Sequence, residues 1–264
     1  MRILSIDTSA IASAALISAV DGKADVLASF ATEDTRSHAE VLAPGVDSLF
    51  KDPVAEGPLL DAIVVGVGPG PFTGLRSGIA MARTLSFAWN VPLHGMMSLD
   101  ALAWDVLGAG DQAAGSNAGA SGRLDAAVLH PHAFHPNAFH PNGDFVIATD
   151  ARRKEVYWAR YSGEGTLLDG PHVGPATDVP ALPVYGMGAG LYAETLEAQG
   201  SRVDPGFAQA QPTAASLGLR AAIVLHRAGF PGPGHTKDGQ LRDSTPLYLR
   251  ESDAQVPGPR KRAL

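Results

Sequence analysis

Residues 61–89 read DAIVVGVGPGPFTGLRSGIAMARTLSFAW, and they join two elements of different periodicity through one loop. The first part, residues 61–67, is an almost continuous apolar run, which is typical of a strand in the middle of a parallel sheet. Glycines and prolines at 68–74 end that strand. Apolar residues at helical spacing then predict a helix over residues 75–89. A buried strand that leads through a tight loop into a helix indicates an α/β fold.

The segment before this unit is predicted to form strands. Its apolar character predicts strands over residues 2–6, 11–20 and 25–31. Asp21-Gly22 separates the second strand from the third and is a common hairpin turn. Because a hairpin precedes the first helix, we expect a mixed sheet rather than a purely parallel one. The other predicted elements of this half are a helix over 38–50, a strand over 91–96 and a helix over 98–107.

An insertion divides the chain after these elements. Residues 108–144 are rich in Gly, Ala, Ser and Asn, and the motif AFHPN repeats directly within 133–142. We interpret this segment as a low-complexity surface insertion, poorly ordered at least in part, with one short strand predicted over 126–129. It separates an N-terminal lobe, residues 1–107, from a C-terminal lobe and tail, residues 145–264. In the second lobe the pattern predicts strands over 145–149, 155–161 and 182–186 and helices over 189–198 and 213–227.

Composition restricts the class of protein. The chain has 264 residues, of which 45% are hydrophobic and 18% charged, as expected for a globular protein with one large domain or two lobes. It has no cysteine, which excludes disulfides, thiolate metal sites and a cysteine nucleophile. A formal charge of -7 argues against nucleic-acid binding through bulk charge. The N-terminus has no signal-like apolar run and no stretch approaches the ~20 apolar residues of a membrane span, so we expect a cytoplasmic protein.

The tripeptide Asp7-Thr8-Ser9 follows the first predicted strand. Its hydroxyls and backbone N–H groups could bind an anion such as a nucleotide phosphate, which would make it a vestigial nucleotide loop. The same side chains could instead only satisfy the backbone of the turn. The sequence leaves both interpretations open.

The loop at 68–74 resembles a phosphate-binding loop only superficially. It lacks the Lys-Ser/Thr pair of a Walker loop, and its prolines remove backbone donors that a phosphate would need. We interpret it as a rigid elbow at the start of the helix. Gly74, Gly78 and Ala82 are spaced four apart and allow another element to approach that helix closely. This small-residue strip could serve the chain's own core or a partner subunit.

Two further segments carry polar chemistry. Residues 150–155, DARRKE, place five charges in six residues between two strands. They form either a solvated hairpin or a docking turn for a phosphate or an acidic partner, with Asp150, Arg152, Arg153 and Glu155 as its candidate residues. Histidines at 130, 132, 135 and 140 could bind a transition metal, but their repetitive context favours a low-complexity tract. Because neither Gly-x-Ser-x-Gly nor His-Glu-x-x-His occurs, we predict no catalytic residue and no metal ligand.

Four segments, in order, resemble the TsaB (YeaZ) family. They are ILSIDTS at 3–9, GVGPGPFTGLR at 66–76, DARRKEVY at 150–157 and PLYLR at 246–250. The glycine-proline segment is the most specific of the four, although Pro71 stands where Ser is more usual. The similarity extends over most of the chain except residues 108–144.

The resemblance implies an actin-like (ASKHA, ribonuclease H-like) fold of two α/β lobes, each with a mixed sheet flanked by helices. It implies a non-catalytic subunit beside TsaD, the catalytic paralogue, and TsaE, a small ATPase, which together form threonylcarbamoyladenosine in tRNA. Contact with tRNA would be indirect, through the complex. In TsaD two histidines hold the metal, and Ser98 and Leu102 occupy those positions here. Neither side chain replaces an imidazole ligand, which indicates a pseudo-enzyme.

In that family the partner contact is built from helices of the N-terminal lobe. Carried over, the resemblance implies an interface on the helix after the glycine-proline loop, with candidate contacts Gly74, Arg76, Gly78, Ile79, Ala80 and Arg83. The same face could form a homodimer when the partner is absent. We expect no cofactor held by this chain alone, with ATP or ADP at the interface of the complex as an open alternative.

Two other functions are alternatives to the role of a non-catalytic subunit. An active actin-fold ATPase or small-molecule kinase would need a second phosphate motif besides Asp7. Gly186-Met-Gly-Ala-Gly190 could be the remnant of an adenosine-side loop, or only a tight turn between a strand and a helix. A metallopeptidase of the glycoprotease type would need paired metal ligands, which the sequence does not offer.

Overall fold

Two five-stranded sheets form the centres of the two lobes in the computed structural model, which describes residues 1–20, 23–32, 38–114, 141–229, 236 and 239–250. The first sheet has the order β3-β2-β1-β4-β5. Its strands are β1 (Arg2–Asp7), β2 (Ser13–Val20), β3 (Lys23–Ala31), β4 (Ala62–Gly66) and β5 (Leu93–Met96). The second sheet contains β6 (Phe145–Asp150), β7 (Val156–Tyr161), β8 (Leu167–Gly174), β9 (Pro183–Tyr185) and β10 (Arg202–Val203).

The two sheets repeat one topology. The order of the second sheet is β8-β7-β6-β9-β10, so each sheet places its first strand at the centre. In both, the first three strands are antiparallel, and the last two run parallel to the first. The mixed sheet predicted from the hairpin is therefore present twice.

Helices cover both faces of each sheet. They are α1 (His38–Asp47), α2 (Pro53–Glu56), α3 (Phe72–Trp89), α4 (Ser98–Ala114), α5 (Met187–Leu191), α6 (Ala193–Ala198) and α7 (Ala214–Arg227). On one face of the first sheet, Ile3 and Val64 pack with Leu217 of α7. On the other face, Leu4 packs with Leu75 of α3. Burial on both faces explains why β1 and β4 are nearly continuous apolar runs.

Each lobe contributes one helix to the junction with the other lobe. Helix α7, from the second half of the chain, packs on the first sheet, where the Ser5 hydroxyl donates to the Ala214 carbonyl at 2.6 Å. Helix α4, from the first half, packs on the second sheet through Leu102 and its neighbours. The two helices are joined by the Ser216 hydroxyl, which donates to the Asp105 carboxylate at 2.8 Å. The lobes therefore share a central helical layer.

The end of the described chain, residues 241–250, forms a strap across both lobes. Gly95 and Arg242 exchange two backbone hydrogen bonds of 2.8 Å, and the Leu247 N–H donates to the Val67 carbonyl at 2.8 Å. Arg250 then reaches the second lobe, where Nη1 donates to the Ala151 carbonyl at 2.9 Å. The strap thus fixes the position of one lobe relative to the other.

Several boundaries differ from the sequence prediction. Helix α4 continues to Ala114, so residues 108–114 of the expected insertion are helical. The predicted strand at 126–129 and the four clustered histidines lie outside the described residues. Strand β8 was not predicted, because Gly170-Pro171 interrupts its pattern. Proline is tolerated there because β8 is an edge strand, and its pairing with β7 is irregular. No helix of the described residues is long and apolar enough to cross a membrane.

The lobe junction contains a partly buried carboxylate, Asp100 of α4. Its Oδ1 accepts a hydrogen bond of 2.8 Å from the Tyr161 hydroxyl of β7. Burial raises the pKa of Asp100 from 3.8 to about 6, although the hydrogen bond from Tyr161 and the charges of Arg220 and Arg242 oppose the rise. Between these two pH values the folded protein binds a proton that the unfolded chain releases. The free energy of unfolding therefore falls as the pH rises from about 4 to 6. Above pH 6 the contribution of protonated Asp100 to stability is lost.

Asp100→Asn should remove the loss of stability that accompanies ionisation of Asp100. The amide oxygen can still accept the hydrogen bond from Tyr161. We expect the variant to gain stability relative to the parent protein on going from pH 4.5 to pH 7.5, by about 1–3 kcal/mol. Urea unfolding at both pH values measures the difference, with Asp25→Asn on the exposed side of β3 as the matched control. An Asp100→Asn effect that is the same at both pH values would mean that ionised Asp100 carries no cost in the folded protein.

Candidate functional site

The loop that follows β1 is held by its own side chains. Asp7 is fully buried, and its Oδ1 accepts hydrogen bonds from the Ser9 N–H at 2.8 Å and from the Ser9 hydroxyl at 2.7 Å. The Thr8 hydroxyl donates to the Gly74 carbonyl at 2.8 Å. Both hydroxyls are therefore used inside the first lobe. This geometry favours the interpretation that residues 7–9, the Asp7 loop, satisfy the turn.

The glycine-proline elbow packs directly against the Asp7 loop. A Cβ at Gly66 would overlap the Asp7 carboxylate, and one at Gly70 would lie 2.6 Å from the Ser9 carbonyl oxygen. Side chains at these positions would push the ends of β1 and β4 apart. The elbow is thus required for close packing at the carboxyl ends of these strands.

Ser98 and Leu102, which the resemblance to TsaD predicts to stand in place of metal ligands, have structural roles here. The Ser98 hydroxyl accepts a hydrogen bond from the Gly68 N–H at 3.2 Å, and the Ser98 N–H donates to the Gly68 carbonyl at 2.8 Å. Leu102 is fully buried against the second sheet. Ser98 therefore ties α4 to the elbow, and Leu102 belongs to the core. Within the residues that the structure describes, no group of three or more His, Asp or Glu side chains could hold a metal.

A small cleft between the lobes brings two predicted segments together. Its volume is about 140 Å³, and its lining residues are Ser9, Ala10, Pro71, Thr149, Asp150, Arg152, Met187 and Gln211. The Asp7 loop thus faces the docking turn, residues 150–155, across the cleft, and Met187 comes from the glycine-rich segment after β9. Ligand sites for drug-sized molecules usually measure about 300–1,000 Å³. The cleft is therefore small compared with such sites.

The docking turn has an unusual backbone. Arg152, Arg153 and Lys154 have φ values of 60°, 54° and 65°, the left-handed region, and all three are exposed. Such a conformation costs about 1–2 kcal/mol for each residue other than glycine. Asp150 stabilises the turn, because its Oδ1 accepts a hydrogen bond of 2.8 Å from the Arg152 N–H. Glu155 forms an ion pair with Arg250 of the strap.

Helix α3 has a buried side and an exposed side, which divides the predicted interface residues. Gly74, Gly78 and Ile79 are buried within the first lobe, and a Cβ at Gly78 would overlap the Thr8 hydroxyl. The small-residue strip therefore serves the chain's own core, and these three residues are not available to a partner. The exposed side, which we call the outer face, consists of Thr73, Arg76, Ala80, Arg83 and Phe87. The interface prediction is thus narrowed to Arg76, Ala80, Arg83 and their exposed neighbours.

The strap fixes both arginines of the outer face. Arg83 donates to Ser244 twice, from Nε to Oγ and from Nη2 to the carbonyl, each at 2.9 Å. Arg76 donates from Nε to the Tyr248 hydroxyl at 3.2 Å and stacks over the Phe72 ring at 3.6 Å. In the sequence, residues 246–250 indicate only the family resemblance. Their structural role could not be predicted, since the partners are far away in sequence.

Comparisons with known proteins agree with this geometry. A family model described as TsaD: tRNA N6-adenosine threonylcarbamoyltransferase matches residues 25–129. An uncharacterized protein of Mycobacterium tuberculosis is 36% identical over 235 residues, 87% of this chain and 83% of that protein. The tRNA threonylcarbamoyladenosine biosynthesis protein TsaB of Escherichia coli is 31% identical over 161 residues, 61% of this chain and 55% of that protein. YeaZ from Pseudomonas aeruginosa superposes with a TM-score of 0.63 at 26% identity, over 94% of this chain and 99% of that chain. The chain belongs to the TsaB (YeaZ) family.

The family assignment confirms the resemblance drawn from four short segments. The likeness to YeaZ and the repeated mixed sheets also confirm the predicted actin-like two-lobe fold. Within this TsaB-family chain, the interlobe cleft and the outer face of α3 are the two surfaces on which the predicted site residues lie. The docking turn belongs to the cleft, and the strap connects the cleft to the outer face.

Gly78→Leu should destabilise the monomer, because the new side chain would enter the space of Thr8. We expect the free energy of unfolding to fall by about 1–3 kcal/mol, the usual effect of overpacking. Ala80→Leu, two positions along α3 but exposed, is the matched control and should change stability by less than about 0.5 kcal/mol. Chemical denaturation of both variants tests this assignment of the two faces, and equal losses would contradict it.

Lys154→Gly should stabilise the protein, because glycine adopts a positive φ without the steric cost of a side chain. We expect a gain of about 1 kcal/mol in the free energy of unfolding. Lys51→Gly, at an exposed position outside the left-handed region, serves as the control and should not stabilise. A loss of stability in Lys154→Gly would show that the lysine side chain makes a favourable contact that outweighs the backbone cost.

Proposed function

We propose that this TsaB-family chain is the non-catalytic subunit of the bacterial complex that forms threonylcarbamoyladenosine in tRNA, where it binds and activates a TsaD-like paralogue. The relatives from Escherichia coli and Bacillus subtilis, both named for tRNA threonylcarbamoyladenosine biosynthesis, support the pathway. The observation that carries the structural part of the proposal is the outer face of α3. This face is exposed in the isolated chain and suited to pack against another helix.

The outer face has the properties of a helical docking surface. Its residues follow each other at intervals of three or four, so that they share one side of the helix. Phe87 is 91% exposed. Ala80, at the middle of the face, leaves the backbone accessible to a partner helix. Ala80 and Phe87 lie two turns apart on the same side of α3, so that one partner helix can contact both, and aromatic residues are enriched among the residues that contribute most to binding at interfaces.

Charge and rigidity support the same proposal. Helix α3 contains no Asp or Glu, and its two arginines lie on the outer face. Since the strap already holds both guanidinium groups, they lose little conformational freedom when a partner binds. The complementary surface of the TsaD-like partner is accordingly expected to combine apolar contacts for Phe87 with acceptors for Arg76 and Arg83.

The cleft supports a non-catalytic role. In an active ATPase or kinase, the Asp7 carboxylate would have to face the nucleotide, whereas here it is buried and accepts two hydrogen bonds from Ser9. The cleft volume of about 140 Å³ is also below the range of about 300–1,000 Å³ that is usual for sites of drug-sized ligands. Ser98 and Leu102 are integrated into the packing between α4 and its neighbours. Catalysis is therefore assigned to the paralogue.

If catalysis belongs to the TsaD-like paralogue, the roles of the other components of the complex can be proposed as well. A TsaE-like ATPase would join the two subunits, tRNA would be reached through the complex, and ATP or ADP would bind at a subunit interface rather than in this chain's cleft. In the absence of the paralogue, the outer face could pair with its own copy. A tRNA-modifying complex of this kind would work in the cytoplasm.

Phe87→Ala should weaken binding to the TsaD-like paralogue from the same source without unfolding the chain. Loss of a large aromatic contact at an interface raises the dissociation constant about 10- to 100-fold. Light scattering coupled to size exclusion measures the complex, and threonylcarbamoyladenosine formation with all subunits measures the consequence. Leu27→Ala, an exposed leucine on β3, is the matched control and should leave both unchanged.

Two results would contradict the proposal. One is the absence of any complex between the parent chain and the paralogue, even with the TsaE-like subunit, tRNA and ATP added. The other is ATP turnover by the isolated chain that Asp7→Asn abolishes, which would make the chain an active ATPase. Light scattering of the chain alone also tests the homodimer: Phe87→Ala should convert any dimer to monomer.

A further inference from the structure

The docking turn retains long cationic side chains where glycine would be favoured. Among the described residues, eight other positions have a positive φ. One is Asn90, directly after α3, and the other seven are glycines: Gly68, Gly165, Gly170, Gly186, Gly200, Gly229 and Gly239. Arg152, Arg153 and Lys154 adopt the same backbone region consecutively. Since this conformation is unfavourable for side chains with a Cβ, the side chains themselves are what this turn provides.

The turn is fixed by contacts with the rest of the protein, and its three cationic residues are exposed. Its two ends are joined by a backbone hydrogen bond of 3.0 Å from the Ala151 N–H to the Glu155 carbonyl. Arg250 donates to the Ala151 carbonyl at 2.9 Å and forms an ion pair with Glu155. Asp150 binds Arg152 through both its backbone N–H and its side chain. The acidic residues of the segment are thus engaged in the base of the turn.

The turn is a local concentration of positive charge. Arg152, Arg153 and Lys154 are consecutive and exposed, and Arg152 also lines the interlobe cleft. Clustered exposed cations form the kind of surface on which a phosphate backbone is bound. The chain as a whole carries a charge of -7, so RNA binding through charge requires a local site of this kind.

The strap places this turn next to the outer face of α3. Tyr248 packs on Phe72 at the start of that face, with ring centroids 4.6 Å apart. Arg250, two residues later, contacts the docking turn. The first turn of α3 and the docking turn are therefore both in contact with one short segment of the strap.

We infer that the docking turn, through Arg152, Arg153 and Lys154, binds the sugar-phosphate backbone of the tRNA on which the complex acts. This inference rests on the proposed function and makes this subunit a direct contributor to substrate binding. The contact is made to phosphates, so it adds affinity without reading the base sequence.

The test compares two double substitutions in the assembled complex with the TsaD-like paralogue. Arg153→Gln with Lys154→Gln removes two positive charges and keeps unbranched side chains in the turn. Lys23→Gln with Lys51→Gln removes two exposed charges from the first lobe and is the matched control. Fluorescence anisotropy measures the affinity for the tRNA substrate across a salt series, and light scattering measures assembly of the same samples.

We expect the turn variant to bind tRNA about 3- to 30-fold more weakly at low salt, with assembly unchanged. The slope of log affinity against log salt concentration should become less negative by about 1–2, as expected for the loss of up to two phosphate contacts. The control variant should match the parent in affinity and slope. Lys154→Gly should weaken tRNA binding while raising the denaturation midpoint. This result would show that the weaker binding comes from the lost charge and not from a less stable turn.

Other outcomes overturn the inference in distinguishable ways. Unchanged affinity and slope in the turn variant, in a complex that assembles normally, would overturn it and leave the proposed function intact. Equal weakening by both double substitutions would mean diffuse electrostatic attraction rather than a site. Loss of a protein subunit with tRNA affinity retained would assign the turn to an acidic protein partner. If the parent chain does not assemble with the paralogue at all, the proposed function fails, and the inference fails with it.

Discussion

The close contact between the Asp7 loop and the start of α3 determines how the first lobe is arranged. Thr8 donates to the Gly74 carbonyl, and Gly78 leaves the space that the Thr8 side chain fills. These contacts turn one side of α3 toward the sheet and leave the opposite side in solvent. The orientation of the outer face is therefore a consequence of packing inside the lobe. A side chain at Gly78 would therefore change both the packing inside the lobe and the orientation of the outer face.

The two lobes are joined by three connections that have different physical origins. Helices α4 and α7 cross between the sheets and are linked by the buried Ser216–Asp105 hydrogen bond. Leu247 of the strap packs against the apolar clusters of both lobes. Arg250 adds polar contacts at the docking turn. Because apolar burial, a buried hydrogen bond and ion pairing respond differently to mutation and salt, no single substitution on the surface is expected to separate the lobes.

The parts of the fold that could be predicted from sequence are those with local patterns. The strands around residues 2–6 and 61–67, buried on both faces, and helix α3 followed from apolar runs and helical spacing. Strand β8 did not, because an edge strand tolerates the Gly170-Pro171 pair that normally indicates a loop. Four-residue spacing identified the small-residue strip on α3 but could not tell which side faces the core. That choice depends on Thr8, which is 70 residues away from Gly78 in the sequence.

The same distance in sequence explains what was missed in the candidate site. The Asp7 loop, the docking turn and the glycine-rich segment after β9 were each recognised as separate motifs. Strands β6 and β9 are parallel neighbours, so their carboxyl ends lie side by side, and both face the segment after β1 across the cleft. The strap could be recognised as a sequence segment, but its contacts with both lobes could not be predicted. Its partners Arg76, Arg83 and Glu155 are all on other elements.

The packing around the cleft is unfavourable for nucleotide binding and catalysis at that place. An actin-like cleft needs a carboxylate and backbone donors that face a ligand, whereas here Asp7 is turned inward to bind Ser9, and Pro71 occupies the rim without an N–H to offer. Polar groups satisfied within the protein gain nothing from a phosphate, so a nucleotide would have to break existing hydrogen bonds before forming its own. The outer face of α3 and the cations of the docking turn are instead exposed on the surface. In the proposed complex, a chain with this arrangement would contribute to catalysis by positioning other molecules.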